Sequence, residues 1–169
     1  MKKTLILTAL IMVVASGGLF AKGLDFQFGG GYNGFFISDE ASDFNGYPVG
    51  FAAFGGVGYK FLPTLSVGAE YEFSMDWAFN VLGSDQTMTM IEHLPKAYIK
   101  FNALNILAIT GLAGVDIQTP MVDNVSGTTE TAFTAGARVA LLFAYAQYLM
   151  VFNTDRVDHR ISVGIVLSK

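Results

Sequence analysis

Apolar and polar residues alternate with a period of two between positions 65 and 75 of the chain. One face carries Leu65, Val67, Ala69, Tyr71, Phe73 and Met75, and the other carries Ser66, Gly68, Glu70, Glu72 and Ser74. A period of two is that of a β-strand with one apolar and one polar face. Strands average about 5–6 residues in soluble proteins, whereas a tilted strand that crosses a bilayer needs about 9–11. The length of this strand, with carboxylates on its polar face, therefore predicts a membrane β-barrel.

The same alternation recurs along the chain and predicts eight strands. They cover residues 24–36, 48–61, 65–75, 88–101, 105–117, 131–142, 144–152 and 156–168. Three connections, 37–47, 76–87 and 118–130, are long and polar, and the connections between them in the chain are tight. Long external loops that alternate with short periplasmic turns are typical of outer-membrane barrels. The predicted fold class is an all-β, eight-stranded, antiparallel, up-and-down transmembrane β-barrel.

Two of the predicted strands depart from a clean alternation. In the second strand, Phe54 is an apolar residue on the inward face. In the fourth strand, Glu92 and His93 interrupt the pattern before Pro95. Proline has no N–H to donate to the ladder, so we expect a bulge or an early loss of pairing there.

Residues 139–152 also have a helical interpretation, because nearly all of them are apolar. A helix of this length would extend about 21 Å, short of a hydrocarbon core of about 30 Å. We therefore expect a hairpin that turns at Leu142-Phe143, although this turn lacks Gly, Asn and Pro. In its second strand we place Gln147 inside and Tyr148, Met150 and Phe152 outside.

The N-terminal segment has the pattern of a secretory signal. Met1-Lys2-Lys3 precedes an apolar run from Leu5 to Val14, and small residues follow up to Ala21. This pattern predicts a signal peptide at 1–21 and a mature barrel domain at 22–169. We expect Sec-type export, signal cleavage and localisation in the outer membrane.

Composition supports a barrel with an apolar outer surface. Hydrophobic residues make up 52% of the chain and charged residues 14%, against about 25% charged in soluble domains. After the predicted signal, no apolar run is long enough for a membrane-spanning helix. Loss of Lys2 and Lys3 would take the net charge from −4 to −6, which disfavours nucleic acid as a partner. The chain has no cysteine, so disulfides do not hold the fold.

Charged residues on the inward faces predict a cluster inside the barrel. We expect Glu70, Glu72, Arg138 and Arg160 to meet at mid-depth, with Lys60, Lys100 and Asp116 also facing the lumen. An eight-stranded barrel is just wide enough for side chains, so this cluster is interpreted as a structural plug. The alternative is a gated path for ions or solutes. The residues predicted to face lipid are Leu65, Val67, Tyr71, Phe73, Ile161, Val163 and Ile165.

The candidate residues for catalysis are few. His93 and His159 are the two histidines, and Ser162 lies on the face of its strand opposite to His159. A direct His–Ser dyad of the kind used by lipid-modifying outer-membrane barrels is therefore not expected. We predict that the protein is not an enzyme and has no cofactor and no metal site.

The predicted mature region resembles the small eight-stranded outer-membrane barrels of the OmpA/OmpX/OmpW superfamily. A local similarity to OmpW-type proteins rests on His93-Leu94-Pro95, on Tyr98 to Phe101 and on Gly111 to Val115. This resemblance implies passage of small hydrophobic molecules through a lateral opening. Lys96 stands where that motif commonly has a second proline, and the chain ends on Lys169 rather than on an aromatic residue.

Three functions follow from these patterns. The first is a non-enzymatic outer-membrane barrel with a structural or surface-interaction role, whose external loops would bind any external ligand or host surface. The second is an OmpW-like channel for small hydrophobic solutes, and the third is a secreted soluble barrel that binds a ligand inside. The expected partners of the first are outer-membrane lipid and the barrel-assembly machinery.

Overall fold

A computed structural model describes residues 23–36, 49–79, 87–103, 106–122, 125–154 and 156–168. The predicted signal peptide, the predicted loop 37–47 and most of the predicted loop 76–87 lie outside these residues. The strands are β1 Leu24–Phe36, β2 Val49–Leu62, β3 Leu65–Phe79, β4 Thr87–Ala103, β5 Leu107–Val122, β6 Val125–Ser126, β7 Glu130–Leu141, β8 Ala144–Phe152 and β9 Val157–Ser168. Eight of them are long, and β6 is a two-residue strand that pairs with the end of β5.

The eight long strands form one closed antiparallel sheet. Each pairs with its neighbours in the chain, and β1 closes the ring by pairing with β9, with Gly31 opposite Gly164. Closure leaves no sheet edge with unpaired backbone groups, which is what a strand structure needs in lipid. The predicted eight-stranded up-and-down barrel is therefore confirmed.

The connections define two ends of the barrel. At the short-turn end, β2 is joined to β3 by 63–64 and β7 to β8 by 142–143, and β4 ends where β5 begins. At the other end, which we call the loop end, β1, β3, β5 and β8 finish. Two strands extend further toward the loop end than predicted. β3 continues through Asp76 to Phe79, and β5 continues through Gln118 to Val122. The predicted loops 76–87 and 118–130 therefore include residues that belong to these strands.

Glycines make room for two of the large aromatic rings in the lumen. The ring of Phe54 lies against Gly29, where a Cβ atom would overlap it. The ring of Tyr98 lies against Gly58 and Gly68, which face each other across β2 and β3. The inward position predicted for Phe54 is thereby accounted for, because a neighbouring strand has no side chain at that height.

The expected disruption of the fourth strand is wrong in its extent. β4 pairs with β3 without a register shift from Thr87 to Phe101. Its ladder with β5 lacks only the pairs at Leu94 and Pro95, and it resumes in the same register at Lys96. Glu92 is buried inside and His93 lies outside, so the alternation continues. The sequence did not show this alternation because Leu94, an apolar residue, faces the lumen and is fully buried.

The hairpin interpretation of 139–152 is correct, and the helical alternative is wrong. β7 and β8 pair from Phe133–Phe152 to Leu141–Ala144, and Gln147 is buried inside while Tyr148 is exposed outside. Leu142 takes a positive φ of 57°, a conformation that costs a residue with a side chain about 1–2 kcal/mol. Among the described residues, no helix is long and apolar enough to cross a membrane.

We predict that Leu142→Gly stabilises the barrel by about 0.5–1 kcal/mol. Glycine has no steric penalty at positive φ, and this gain exceeds the entropy that a flexible residue loses on folding. Urea unfolding of the protein refolded in lipid vesicles would measure the difference. The matched control is Phe143→Gly, which removes no positive-φ strain and is expected to destabilise by about 0.5–1 kcal/mol. Equal destabilisation by both substitutions would contradict the account of this turn.

Candidate functional site

The two faces of the barrel wall have opposite chemistry. The outer face carries the exposed large hydrophobic side chains, and the buried side chains of the lumen are mostly polar or charged. All seven residues that were predicted to face lipid lie on the outer face, four of them strongly exposed: Tyr71, Ile161, Val163 and Ile165. This distribution is the reverse of a soluble protein and is typical of a transmembrane barrel.

Aromatic side chains on the outer face lie near both ends of the barrel. Tyr59 and Phe61 contact each other near the short-turn end, with ring centroids 5.1 Å apart. Near the loop end, Phe51 contacts Trp77 at 5.7 Å, and Phe133 contacts Phe152 at 5.8 Å. Two such bands are typical of the girdles that transmembrane barrels place at the membrane interfaces.

Both histidines also lie on the outer face, where each is paired with a tyrosine. His93 Nδ1 is hydrogen-bonded to the hydroxyl of Tyr71, and His159 Nδ1 is 2.6 Å from the hydroxyl of Tyr148. Ser162 is fully buried on the inner face. The structure therefore brings neither histidine to this serine.

The centre of the lumen is held by a buried ion-pair network. Arg138 donates two hydrogen bonds to Glu70, from Nη1 to Oε2 at 2.9 Å and from Nη2 to Oε1 at 2.8 Å. Lys96 bridges the two glutamates, with Nζ 3.1 Å from Glu70 Oε1 and 2.5 Å from Glu72 Oε2. Gln147 accepts from Arg138 Nε at 2.9 Å and donates to Glu72 at 3.1 Å. The network joins β3, β4, β7 and β8 across the lumen.

Arg160 connects this network to the loop-end half of the lumen. Its Nη2 is 3.2 Å from Glu72 Oε1, and its Nη1 is 2.7 Å from Glu92 Oε2. The three guanidinium nitrogens of Arg160 have no hydrogen-bond partner among the described residues. These contacts therefore meet the distance of an ion pair but not the geometry of a hydrogen bond. Arg160 is therefore held by charge attraction rather than by directional bonds.

A second ion pair lies nearer the short-turn end. Lys100 Nζ is 2.6 Å from Asp25 Oδ1 and 2.5 Å from Oδ2. Asp25 also accepts from Ser66 at 2.8 Å and from Tyr98 at 3.2 Å. Lys60 is half-exposed and takes part in no ion pair within the described ranges.

The sequence identified only part of this network. It placed Glu70, Glu72, Arg138 and Arg160 together, and these four do meet through the contacts given above. It missed Lys96 as the bridge between the glutamates, although the inward face of its strand was the available signal. It also missed Glu92, because its strand was taken to lose alternation at that point.

Positive and negative charges balance at the centre but not toward the loop end. Asp25, Glu70 and Glu72 are matched by Lys96, Lys100 and Arg138. In the loop-end half, the buried carboxyl groups of Asp76, Glu92 and Asp116 lie around one buried cation, Arg160, which is in ion-pair contact with Glu92. Asp116 accepts from Gln118 at 2.9 Å, whereas Asp76 Oδ1, Asp116 Oδ1 and both oxygens of Glu92 have no hydrogen-bond partner among the described residues. This half of the lumen therefore holds more acidic than basic side chains.

Apolar side chains fill the space between the charged groups. Leu94, Tyr98, Leu112 and Leu149 form one buried cluster, and Phe54, Tyr145 and Val166 form another. The guanidinium of Arg138 lies 3.7 Å from the centroid of the Phe54 ring, so the ring covers one face of the cation. Together with the ion pairs, these side chains form a packed interior rather than a channel.

The loop end carries an open cavity of about 520 Å³. Its lining residues are Glu130, Thr131, Asn153, Thr154 and Arg156. Arg156 Nε and Asn153 Nδ2 both donate to Asp158 Oδ2, at 3.0 and 2.6 Å, and Asp158 is fully buried. We call this cavity the mouth cavity. No group of three His, Cys, Asp or Glu side chains within the described part of the chain could hold a metal ion.

Comparison with known proteins identifies the type of fold. No protein-family model matches the chain, and no curated protein matches it. Among solved structures, it is similar to the attachment invasion locus protein Ail of Yersinia pestis in complex with the heparin analogue sucrose octasulfate. The identity is 13% and the TM-score 0.50 over 87% of this chain and 100% of that one. It is also similar to Neisserial surface protein A, with 13% identity and a TM-score of 0.54 over 85% of this chain and 96% of that one.

A third similar structure is that of Ail in a phospholipid bilayer nanodisc, with 14% identity and a TM-score of 0.53 over 88% of this chain and 100% of that one. The fold is therefore that of the small eight-stranded outer-membrane β-barrels. At these identities the likeness concerns the fold alone. The local similarity to OmpW-type proteins stays a prediction.

We predict that Arg138→Met destabilises the barrel by about 3–5 kcal/mol. Removing one partner of a buried ion pair leaves the other charge poorly compensated, and here Glu70 would keep the cation Lys96 and a hydrogen bond from Gln27. Urea unfolding in lipid vesicles measures the loss. The control is Lys60→Met, which removes a partly buried cation that forms no ion pair with the described residues and should cost about 1 kcal/mol or less. A loss of similar size in both variants would contradict the central role of Arg138.

Proposed function

We propose that this chain is a non-enzymatic outer-membrane β-barrel with a structural and surface-interaction role, exercised through the loop end on the cell exterior. The observation that carries this proposal is the inverted distribution of polarity. Exposed aromatic and aliphatic side chains cover the outer wall, while charged residues are buried in a packed lumen. A wall of this kind is stable in lipid and would aggregate in water.

The packed lumen directs any interaction to the ends of the barrel. Arg138 and Arg160 are among the largest fully buried side chains, and Leu94 and Leu149 are buried with them. The lumen therefore acts as a plug, and the loop end is left as the binding surface. Ail, which shares this fold, has been solved with a heparin analogue, and the second barrel is named as a surface protein. These neighbours make a surface role reasonable for this chain.

Outer-membrane lipid is the proposed partner of the wall, and the barrel-assembly machinery is the proposed partner during insertion. The predicted signal peptide at 1–21 would direct export before insertion. The proposal that the protein has no catalytic activity is supported by the positions of His93 and His159. Both lie on the outer wall against tyrosines, away from Ser162 and from the carboxylates of the lumen.

An OmpW-like passage for small hydrophobic solutes is the second candidate. The observation in its favour is the gap of two pairs between β4 and β5, at Leu94 and Pro95. The gap lies within the segment that resembles OmpW-type proteins. Against it, Leu94 is fully buried behind the gap, and Pro95 still pairs with Tyr71 of β3. A secreted soluble barrel is disfavoured, because the apolar face would have to be turned inward.

Cell fractionation tests the proposed location. We expect the protein in the outer-membrane fraction, and we expect an unboiled sample to migrate differently from a boiled one on a denaturing gel. A closed barrel resists detergent until it is heated, which is the reason for the shift. A known periplasmic protein and a known outer-membrane barrel serve as fractionation controls. Recovery in the soluble fraction without a mobility shift would exclude the proposal.

Planar-bilayer recording tests whether the lumen is closed. We expect no steady conductance from the purified protein, because ion pairs and apolar side chains fill the interior. Glu72→Gln is the informative variant, since Glu72 contacts Lys96, Arg160 and Gln147. The plug interpretation would be contradicted if the wild-type protein gave a steady conductance that changes in Glu72→Gln. That result would show an ion path through the network.

A further inference from the structure

Two buried carboxyl groups meet in the loop-end half of the lumen. Asp76 of β3 lies opposite Met90 of β4, and Glu92 of β4 lies opposite Ser74 of β3, so the two acids are diagonal neighbours on the inner face. Diagonal neighbours on one face of a sheet are within reach of long side chains. The two carboxyl groups are within hydrogen-bonding reach of each other, and both are almost completely buried.

The hydrogen-bond donors beside this pair are already used. Ser74 Oγ donates to Asp76 Oδ2 at 2.7 Å, and Asn33 Nδ2 donates in turn to Ser74 at 2.8 Å. Asp76 Oδ1 and both oxygens of Glu92 are buried and have no hydrogen-bond partner among the described residues. Carboxylate oxygens can only accept, and burying them without a donor is costly. The pair therefore lacks a donor.

The charges around Glu92 do not make up for the missing donor. Arg160 Nη1 is 2.7 Å from Glu92 Oε2, but the same guanidinium also faces Glu72, with Nη2 3.2 Å from Oε1. Lys96, on the same face of β4, is engaged by the glutamates of the central network. The titratable and charged groups that β3, β5 and β9 bring to this half of the lumen are Glu72, Asp76, Asp116, Asp158 and Arg160. Glu72 and Asp158 have cations of their own, so the remaining acids and Glu92 itself depend on one guanidinium.

We propose that Asp76 and Glu92 share one proton at neutral pH, and that this proton fastens β3 to β4 in the loop-end half of the lumen. A protonated Glu92 donates the hydrogen bond that the pair otherwise lacks, and Asp76 accepts it in addition to the bond from Ser74. Because Glu92 Oε2 stays beside Arg160 as an acceptor, Oε1 carries the proton. The inference concerns the interior and does not depend on the proposed surface role.

A proton fits this pair better than a metal ion does. Two carboxyl groups at hydrogen-bonding distance hold a single proton between them, as a carboxylate dyad does. A metal ion needs more ligands, and no three acidic, histidine or cysteine side chains in the described ranges could hold one. The proton also removes one negative charge from a buried space that has a single cation.

The shared proton makes the contact between β3 and β4 sensitive to pH. Its loss would leave two carboxylates side by side in a buried site, whereas in the unfolded chain both groups ionise in water. The folded barrel therefore holds more protons than the unfolded chain, and its stability falls as the pH rises. An ionised Glu92 paired with Arg160 would give the opposite sign, because acid would then break a buried ion pair.

Urea unfolding of the barrel in lipid vesicles, repeated between about pH 5 and about pH 8, tests this sign. We expect the unfolding midpoint of the wild type to fall as the pH rises. Glu92→Gln should flatten this dependence without lowering the midpoint at neutral pH, because the amide of glutamine donates to Asp76 at every pH. The matched control is Glu130→Gln, the same substitution at an exposed glutamate, which should keep the wild-type dependence. A Glu92→Gln barrel with a lower midpoint and an unchanged pH dependence would overturn the proposal.

Infrared spectroscopy detects the proton in the wild type itself. We expect the C=O stretch of a protonated carboxyl group at neutral pH, shifted on exchange into heavy water, missing in Glu92→Gln and retained in Glu130→Gln. The proposal would be overturned if the wild type lacked this band or if the band persisted in Glu92→Gln. It would also be overturned if calcium chloride removed the band, since the cluster would then hold a metal ion.

Discussion

Glu70 and Arg138 meet near the centre of the barrel through two parallel hydrogen bonds, and both side chains are almost completely removed from solvent. Charges in such surroundings are tolerated only when they are paired and hydrogen-bonded. The pair joins β3 to β7, strands that are not neighbours in the sheet. Lys96 adds β4 and Gln147 adds β8 to the same contacts. These four strands therefore have to sit in one register for the central charges to meet, so the interior network favours the same strand pairing as the backbone hydrogen bonds of the wall.

The charge balance changes along the barrel axis, and this gradient separates the roles of the two halves. Near the short-turn end the acids and bases match, as burial requires. Toward the loop end, Asp76, Glu92 and Asp116 lie around a single buried cation, Arg160, and unpartnered carboxyl oxygens remain. These carboxyl groups are as fully buried as the paired ones near the short-turn end. The acid-rich half is therefore the one toward the end of the barrel that carries the mouth cavity.

Much of the fold could be predicted because lipid outside and a narrow lumen inside impose the same two-residue period on every strand. The facing of Gln147, and the grouping of Glu70 with Arg138, follow from that period alone. The errors arose at single residues whose position or contacts the two-residue period does not predict. Leu94 is an apolar residue inside the lumen, and it hid the alternation of β4. Lys96 lies on the inward face, but its position between the two glutamates depends on the register between β3 and β4, which a sequence pattern does not give.

A closed lumen also explains why the site was the least predictable part of the chain. Where function depends on a pore, inward-facing residues mark it, and a strand pattern shows them directly. Here ion pairs and apolar side chains fill the interior, and the function proposed above leaves binding to side chains at strand ends, where alternation stops being informative. Glu130 and Arg156 show the difficulty: one begins β7, the other lies between two strands, and only the folded barrel brings them to one cavity. Under that proposal, the packing of the lumen is the reason that recognition falls to the end of the barrel.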